Sequence, residues 1–428
     1  MSTDGESIGR TLDLDALCAG IQAPRAAACA VDEVSALSRA VVILFAVAGG
    51  LAVANVYYAQ PLLDTMAAEF GISHAAIGMV ITATQIGYGL GLLLVVPLGD
   101  LLDRRRLIVG QSLLSALALI GVAAAPTAAV LLASLATVGV LAVVTQVLVA
   151  YAAILAHPSE QGRIVGGVTS GIIIGILLAR TVAGTLSDLF GWRSVYLFSA
   201  AATVTIAALL LKTVPRQPRL GARLSYPRLI GSVFQLFLEE PALRIRAMLA
   251  LLIFGAVTVL LTPMVLPLAA PPLSLSHTQI GLFGLAGLAG ALGASRAGRL
   301  SDAGFAQRTT AIGLSAMLAS WPVIALLPHS LWTLVVGVIA IDFGLQSVHV
   351  ANQSLVYRTR PEAQSRLTAG YMIFYSIGSA TGSIASTLVY AQAGWNGVCL
   401  LGAAISTTAL VFWALTRHLT PETPARQA

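Results

Sequence analysis

The sequence predicts an all-α integral membrane protein of twelve transmembrane helices arranged as two six-helix halves. Three observations carry this. Hydrophobic residues make up 57% of the 428 and charged residues only 10%. A soluble chain carries about 25% charged residues, so this chain cannot cover a soluble surface with charge. Several apolar runs without a charge exceed the roughly 18 residues that cross a bilayer. Finally, the charged turn Pro97-Leu98-Gly99-Asp100-Leu101-Leu102-Asp103-Arg104-Arg105-Arg106 has a shadow in Gly298-Arg299-Leu300-Ser301-Asp302-Ala303-Gly304, 199 residues on from Gly99 to Gly298. A charged turn repeated near half-length, each time between apolar runs, implies two similar membrane halves.

Residues 1–39 form a polar leader with Asp4, Glu6, Asp13 and Asp15. A secretory signal starts basic and then runs apolar, so this stretch is expected to be a cytosolic tail. Apolar segments follow near 41–60, 75–98, 107–125, 128–153, 164–187 and 194–211, then 247–270, 278–295, 309–328, 331–353, 367–391 and 394–416. They define an N-terminal half (40–211), a C-terminal half (247–416) and a short cytosolic tail (417–428). Between the halves, 212–246 carries Lys212, Arg216, Arg219, Arg223, Arg228, Arg244 and Arg246, and is expected to be a basic cytoplasmic linker.

With the N-terminus inside, 22 of the 24 basic residues fall in inside loops, linker or tails. Arg193 alone lies outside, and Arg180 lies within segment 5. This asymmetry places both termini in the cytoplasm of a multi-pass cell (inner) membrane protein. The net charge of +6 is therefore a topology signal beside apolar spans, and no nucleic-acid partner is expected. Cys18, Cys29 and Cys399 have no metal or redox spacing, so no metal or cofactor is expected. Gly167, Gly171 and Gly175 recur every fourth residue and put a flat strip on one face of segment 5, where a neighbouring helix can approach closely.

This arrangement resembles the major facilitator superfamily. The family's turn after segment 2 reads roughly G-x-x-x-D-R-x-G-R-R. Gly99, Asp103, Arg104, Arg105 and Arg106 match it, in a turn two residues shorter and without the inner glycine. The second copy keeps Gly298 and Asp302 and has Ala303 where the arginine would follow. The stretches Asn55 to Leu63, Gly175 to Thr181 and Asp342 to Gln353 look like a bacterial branch near the drug:proton antiporters. Segment 4 lacks the arginine, and segment 5 the Gly-Pro pair, often found in those exporters. The resemblance implies the facilitator fold, with segments 1, 4, 7 and 10 lining a central cavity and 2, 5, 8 and 11 beside them. It also implies a cytoplasmic latch made by Gly99, Asp103, Arg104, Gly298 and Asp302, holding the halves together when the cavity opens outward. The arginines alone would serve as a topology signal, whereas Asp103 is not needed for that.

Three ionisable residues fall well inside segments: Arg180, Asp342 and His349. Each is costly in lipid and should face a partner or a water-filled cavity. Asp342 lies about 16 Å from the outer end of segment 10. With Gln346, His349 and Gln353, at spacings of 4, 7 and 11, it occupies one helix face. A carboxylic acid sequestered from water can bind and release a proton near neutrality, which makes Asp342 the candidate coupling acid; the alternative is a structural acid paired across the bundle. His349, nearer the cytoplasmic end, is either a proton relay or a packing residue. Arg180, about 10 Å from the outer end of segment 5, either binds an anionic substrate group or is a permanent partner of Asp342. Asn55, Tyr58, Gln85, Tyr88 and Gln146, with Tyr371 and Tyr375 in segment 11, are polar candidates for the cavity wall. Any one of them could instead make an interhelical hydrogen bond.

No His-Glu-x-x-His, Gly-x-Ser-x-Gly or phosphate-loop pattern occurs, so neither an enzyme nor an ATP-driven pump is expected. The expectation is a secondary active transporter of a small molecule, working by alternating access as a monomer, with proton-coupled efflux. Uptake or facilitated uniport of a metabolite is the alternative, and a non-transporting membrane receptor is a more distant one.

Overall fold

The computed structural model describes residues 38–156, 160–214, 226–360 and 363–420. Residues 1–37 and 421–428 of the expected tails, and 215–225 of the expected linker, lie outside the described residues. Every regular element among the described residues is helical. Span 1 is α1 (Arg39–Tyr57) continued by α2 (Leu63–Phe70). Spans 2 and 3 are α3 (Gly78–Leu94) and α4 (Arg104–Ala123). Span 4 is α5 (Ala128–Ala142) with α6 (Val144–Leu155), and spans 5 and 6 are α7 (Gln161–Phe190) and α8 (Trp192–Thr213). After α9 (Tyr226–Glu239), span 7 is α10 (Pro241–Leu261) with α11 (Val265–Ala269). Span 8 is α12 (His277–Leu282) and α13 (Gly287–Asp302), separated by a 3-10 turn, Phe283–Ala286. Spans 9 and 10 are α14 (Ala306–Ala325) and α15 (Leu331–Tyr357). Spans 11 and 12 are two parts of α16 (Gln364–Thr416), which breaks at Gly394.

Local chemistry sets these ends. Ser38, Asp103, Thr127 and Ser330 each accept a backbone N–H at a helix start, and Ser276 makes a capping box with Gln279. Two hinges between consecutive spans match across the halves. Spans 5 and 6 join at Gly191 (φ 80°) before Trp192, and spans 11 and 12 at Gly394 (φ 61°) before Trp395. Only glycine adopts that left-handed backbone without strain. The Gly-Trp pair is thus a second half-length echo, one that the charged turn overshadowed in the sequence.

Close glycine packing also occurs in both halves. A Cβ on Gly175 of α7 would lie 2.3 Å from the Gly50 carbonyl oxygen of α1. A Cβ on Gly382 of α16 would lie 2.6 Å from the Gly255 carbonyl oxygen of α10. Spans 1 and 5 therefore touch backbone to backbone, as do spans 7 and 11, which is the contact small residues allow where lipid supplies no hydrophobic drive. Large apolar side chains such as Ile43, Leu117 and Leu400 point outward, as a hydrocarbon solvent requires.

Residues 226–239 of the expected linker form a helix of their own. Its Leu229, Val233 and Leu236 are buried, and Phe237 stacks on Phe374 of span 11. The span 7 helix starts at Pro241, six residues before the expected boundary, so Arg246 is an intrahelical residue with no exposed surface. It donates to Asn352 Oδ1 (3.3 Å) and to Thr420 Oγ1. Counting it as a loop charge was wrong: a fourth ionisable residue is buried in the bundle. Its neighbours Arg244 and Glu240 hid it, because they make the stretch look like a loop.

Candidate functional site

The termini of the described chain and α9 lie at one face of the bundle, here the terminal face; the loops after α2, α4, α7, α11, α14 and the first part of α16 lie at the far face. The halves meet along two seams, span 2 against span 11 and span 5 against span 8. On the first seam, Thr82 Oγ1 donates to the Ala380 carbonyl (2.9 Å), Ser383 Oγ to that of Gly78 (2.8 Å) and Thr387 Oγ1 to that of Ala75 (3.0 Å). On the second, Thr181 Oγ1 donates to the Gly281 carbonyl (3.1 Å). A Cβ on Gly184 would lie 2.1 Å from the His277 carbonyl oxygen. These joints lie from mid-depth to the far face.

A continuous polar and aromatic path crosses between the halves at mid-depth. Arg180, buried on α7, donates from Nε to Gln60 Oε1 (2.6 Å), and its guanidinium lies 5.5 Å from the Tyr57 ring centroid. The Tyr57 hydroxyl meets that of Tyr375 on span 11 at 3.0 Å. Tyr375 packs edge-on against Tyr88 (6.1 Å) and Phe254 (4.2 Å). Phe254 in turn meets the His349 ring (5.2 Å), whose Nδ1 is 3.0 Å from the Tyr371 hydroxyl. Gln146 Nε2 donates to the Tyr88 hydroxyl at 3.5 Å, and Gln85 is buried beside Tyr375.

Asp342 sits at the edge of this path. The glycine face of span 8 is wedged between it and Arg180. A Cβ on Gly287 would lie 3.6 Å from Asp342 Oδ2 and 2.4 Å from Leu177 Cδ2, while one on Gly284 would lie 3.5 Å from Arg180 Cδ. The half-buried Asp342 carboxylate receives no hydrogen bond from any described residue. It makes no ion pair with Arg180, which is held by Gln60 instead. Gln346 packs on Gly290 of span 8. Gln353 is half-buried nearer the terminal face and bonds no described side chain.

The structure thus brings together Arg180, Asp342, Gln346, His349, Tyr88, Gln85, Gln146, Tyr371 and Tyr375. It does not place Asn55 and Tyr58 there. Asn55 Oδ1 accepts from Ser199 Oγ (2.6 Å), and the Tyr58 ring meets that of Tyr196 (6.4 Å), both within the N-terminal half. Adjacent helical residues point about 100° apart, so Tyr57 faces the seam because Tyr58 faces span 6. Nothing in the local sequence sets that phase. Gln60 and Phe254 were likewise missed; Gln60 stands in the quoted Asn55–Leu63 stretch, whereas Phe254 gives no polar signal.

Two of the latch residues make bonds within the N-terminal half. Asp103 Oδ1 accepts from Arg106 N (3.1 Å) and caps α4, and Arg104 Nε donates to the Gly99 carbonyl (2.9 Å). Gly298 and Asp302 lie in α13, near the terminal face.

Two repeated halves around a mid-membrane polar seam, with single charges set at helix crossings, define a polytopic membrane transporter. The sequence model of the Major Facilitator Superfamily matches residues 45–358 and 247–428. This chain belongs to that superfamily. It is 46% identical over 377 residues to "Uncharacterized transporter YgaY" of Escherichia coli O157:H7, covering 88% of this chain and 95% of that one. It is 30% identical over 366 residues to "Probable transporter SCO4007" of Streptomyces coelicolor, covering 84% of each. Among solved structures, it is similar to a bacterial homologue of the human lysosomal transporter Spinster in an inward-facing, unoccupied conformation. The TM-score is 0.73 at 15% identity, covering 90% of this chain and 98% of that one. As a member of this family the chain is a transporter and not an enzyme.

Proposed function

We propose that this transporter moves a small molecule by alternating access and couples efflux to protons through Asp342. The observation that carries this reading is the Asp342 carboxylate itself: half-buried, free of hydrogen bonds from described residues, and set against the same glycine face of span 8 as Arg180. Sliding of span 8 during a rocking motion changes the distance between the two groups. When they approach, the positive guanidinium favours the ionised carboxylate and its proton leaves. When they separate, the carboxylate in a low-dielectric site takes a proton up. A substrate competing for either group links its own binding to that exchange. His349, hydrogen-bonded to Tyr371, connects this region toward the terminal face, which the distribution of basic residues makes cytoplasmic. The aromatic faces of Tyr57, Tyr88, Tyr375 and Phe254 supply apolar binding surface, with Gln146 and Gln346 as polar points of recognition.

The test is ligand discovery followed by flux. Purified protein is screened by thermal shift against metabolites and drugs, and compounds that bind are assayed in proteoliposomes carrying a pH gradient. Saturable movement driven by the gradient, lost in Asp342→Asn while counter-exchange persists, is the expected result. Gradient-driven accumulation by Asp342→Asn would remove Asp342 as the coupling acid and move the role to His349.

A further inference from the structure

The second seam ends at the far face in a cluster that the central path does not use. His277 is the first residue of α12, in the C-terminal half. Its Nδ1 is 2.9 Å from Asp188 Oδ1 of α7, and its Nε2 is 3.2 Å from Asp64 Oδ1 and 2.9 Å from Thr65 Oγ1 of α2. Both carboxylates belong to the N-terminal half. Asp188 also accepts from His277 N (3.2 Å), Thr278 N (2.8 Å) and Thr278 Oγ1 (2.6 Å), so it caps a helix of the opposite half. A neutral imidazole has one N–H, and would turn a lone pair toward one of the two carboxylates. Only the doubly protonated ring donates to both. Asp64 and Asp188 are the charged groups facing the ring from α2 and α7. The neighbouring α11 contributes Val265–Ala269, none of them ionisable.

We propose that His277 is a proton-binding residue of the transport cycle: its imidazolium, held between Asp64 and Asp188, fastens the far face, and the far face opens when that proton leaves. The inference rests on the alternating-access reading and is independent of Asp342. The hydrogen bond to Asp64, chief among the contributions of the two carboxylates, pushes the imidazole up to about 9 in the fastened state. Once the halves part, the ring stands in water with its ordinary value of about 6.5. The closed state therefore holds the proton more tightly than the open one. The stabilisation of the closed state is complete below about 6.5 and is lost as pH rises through about 9. Because the cluster retains some solvent contact, the closed-to-open ratio is expected to fall on the order of 100-fold across that window. If the far face is external, acid outside holds the transporter shut on that side, and the proton is exchanged with the medium that the gate faces.

Distance measurement between spin labels at Pro126→Cys and Pro328→Cys, with the native cysteines replaced, reports the separation of the halves at the far face. The full chain is placed in nanodiscs and measured from pH 6 to pH 9.5. Two populations are expected, with the shorter distance dominant at low pH and depleted toward pH 9. His277→Gln should remove the pH dependence. Asp64→Asn leaves the Asp188 cap in place and should move the midpoint down. Populations independent of pH in the unsubstituted chain, or a full pH response in both His277→Gln and Asp64→Asn, would overturn the proposal while leaving alternating access standing. A single distance in every variant at every pH would overturn both.

Discussion

Adding one methyl group at Gly175 tests the packing of spans 1 and 5 most directly. A Cβ there would stand 2.3 Å from the Gly50 carbonyl oxygen, 2.5 Å from Gly50 Cα and 2.6 Å from its carbonyl carbon. All three are backbone atoms of a helix, so none can step aside as a side-chain tip would. Ordinary contact begins near 3.4 Å, so the helices must part by roughly 1 Å. A gap of that size forfeits about a quarter to a half of the dispersion well at each lost contact. Overpacking of this kind costs about 1–3 kcal/mol. Gly167→Ala is the internal control, on the same face two turns earlier, where the added Cβ meets only Val42 Cγ1 at 3.4 Å. Alanine raises helix propensity by about 1 kcal/mol at either position, so the difference between the two variants isolates the clash. The assay is reversible unfolding in mixed micelles followed by far-UV circular dichroism, alongside thermal stability in detergent. Gly175→Ala should be less stable than Gly167→Ala by about 1–3 kcal/mol. Equal stability of the two would refute the backbone-to-backbone contact.

Other consequences can be checked alongside. Asp103→Asn keeps a good helix cap for α4, so it should insert and fold normally while transport falls, whereas Asp103→Ala should also lose about 1 kcal/mol of stability; a normal transport rate in Asp103→Asn would remove the latch. Arg246→Met breaks the bonds to Asn352 and Thr420; Thr420 Oγ1 keeps its bond from Gln307 Nε2 (3.0 Å), so the expected cost is about 1–3 kcal/mol for Asn352 Oδ1 losing the Arg246 donor, measured by the same unfolding assay. Tyr57→Phe removes the hydroxyl that meets Tyr375 and should change flux with little effect on stability, whereas Asn55→Ala leaves Ser199 without its acceptor and should do the reverse.

The sequence by itself determined the class of fold. Apolar length, the half-length charged turn and the scarcity of charge require membrane-spanning helices, because each depends only on the cost of polar groups in hydrocarbon and not on how helices pair. The same cost picked out Arg180, Asp342 and His349: an ionisable residue inside an apolar run needs no partner to be conspicuous. Arg246 escaped because charges beside it in sequence made its run look like a loop, and only the start of α10 at Pro241 shows it enclosed.

The tertiary structure alone decided which faces meet. Rotating a helix by one residue exchanges Tyr57 for Tyr58 at the seam, and both rotations leave the sequence equally apolar. The choice is made by Tyr196 and Ser199 on span 6, more than a hundred residues away. Likewise, the sequence leaves Arg180 open between binding an anionic substrate group and pairing with Asp342, because two opposite charges in one membrane carry no distance. Gln60 holds the arginine and span 8 stands between them. The cluster at His277 was invisible for a related reason. Asp64, Asp188 and His277 each sit in an outer turn where a charged residue is unremarkable. Only the folding together of the two halves brings three such turns within hydrogen-bond distance.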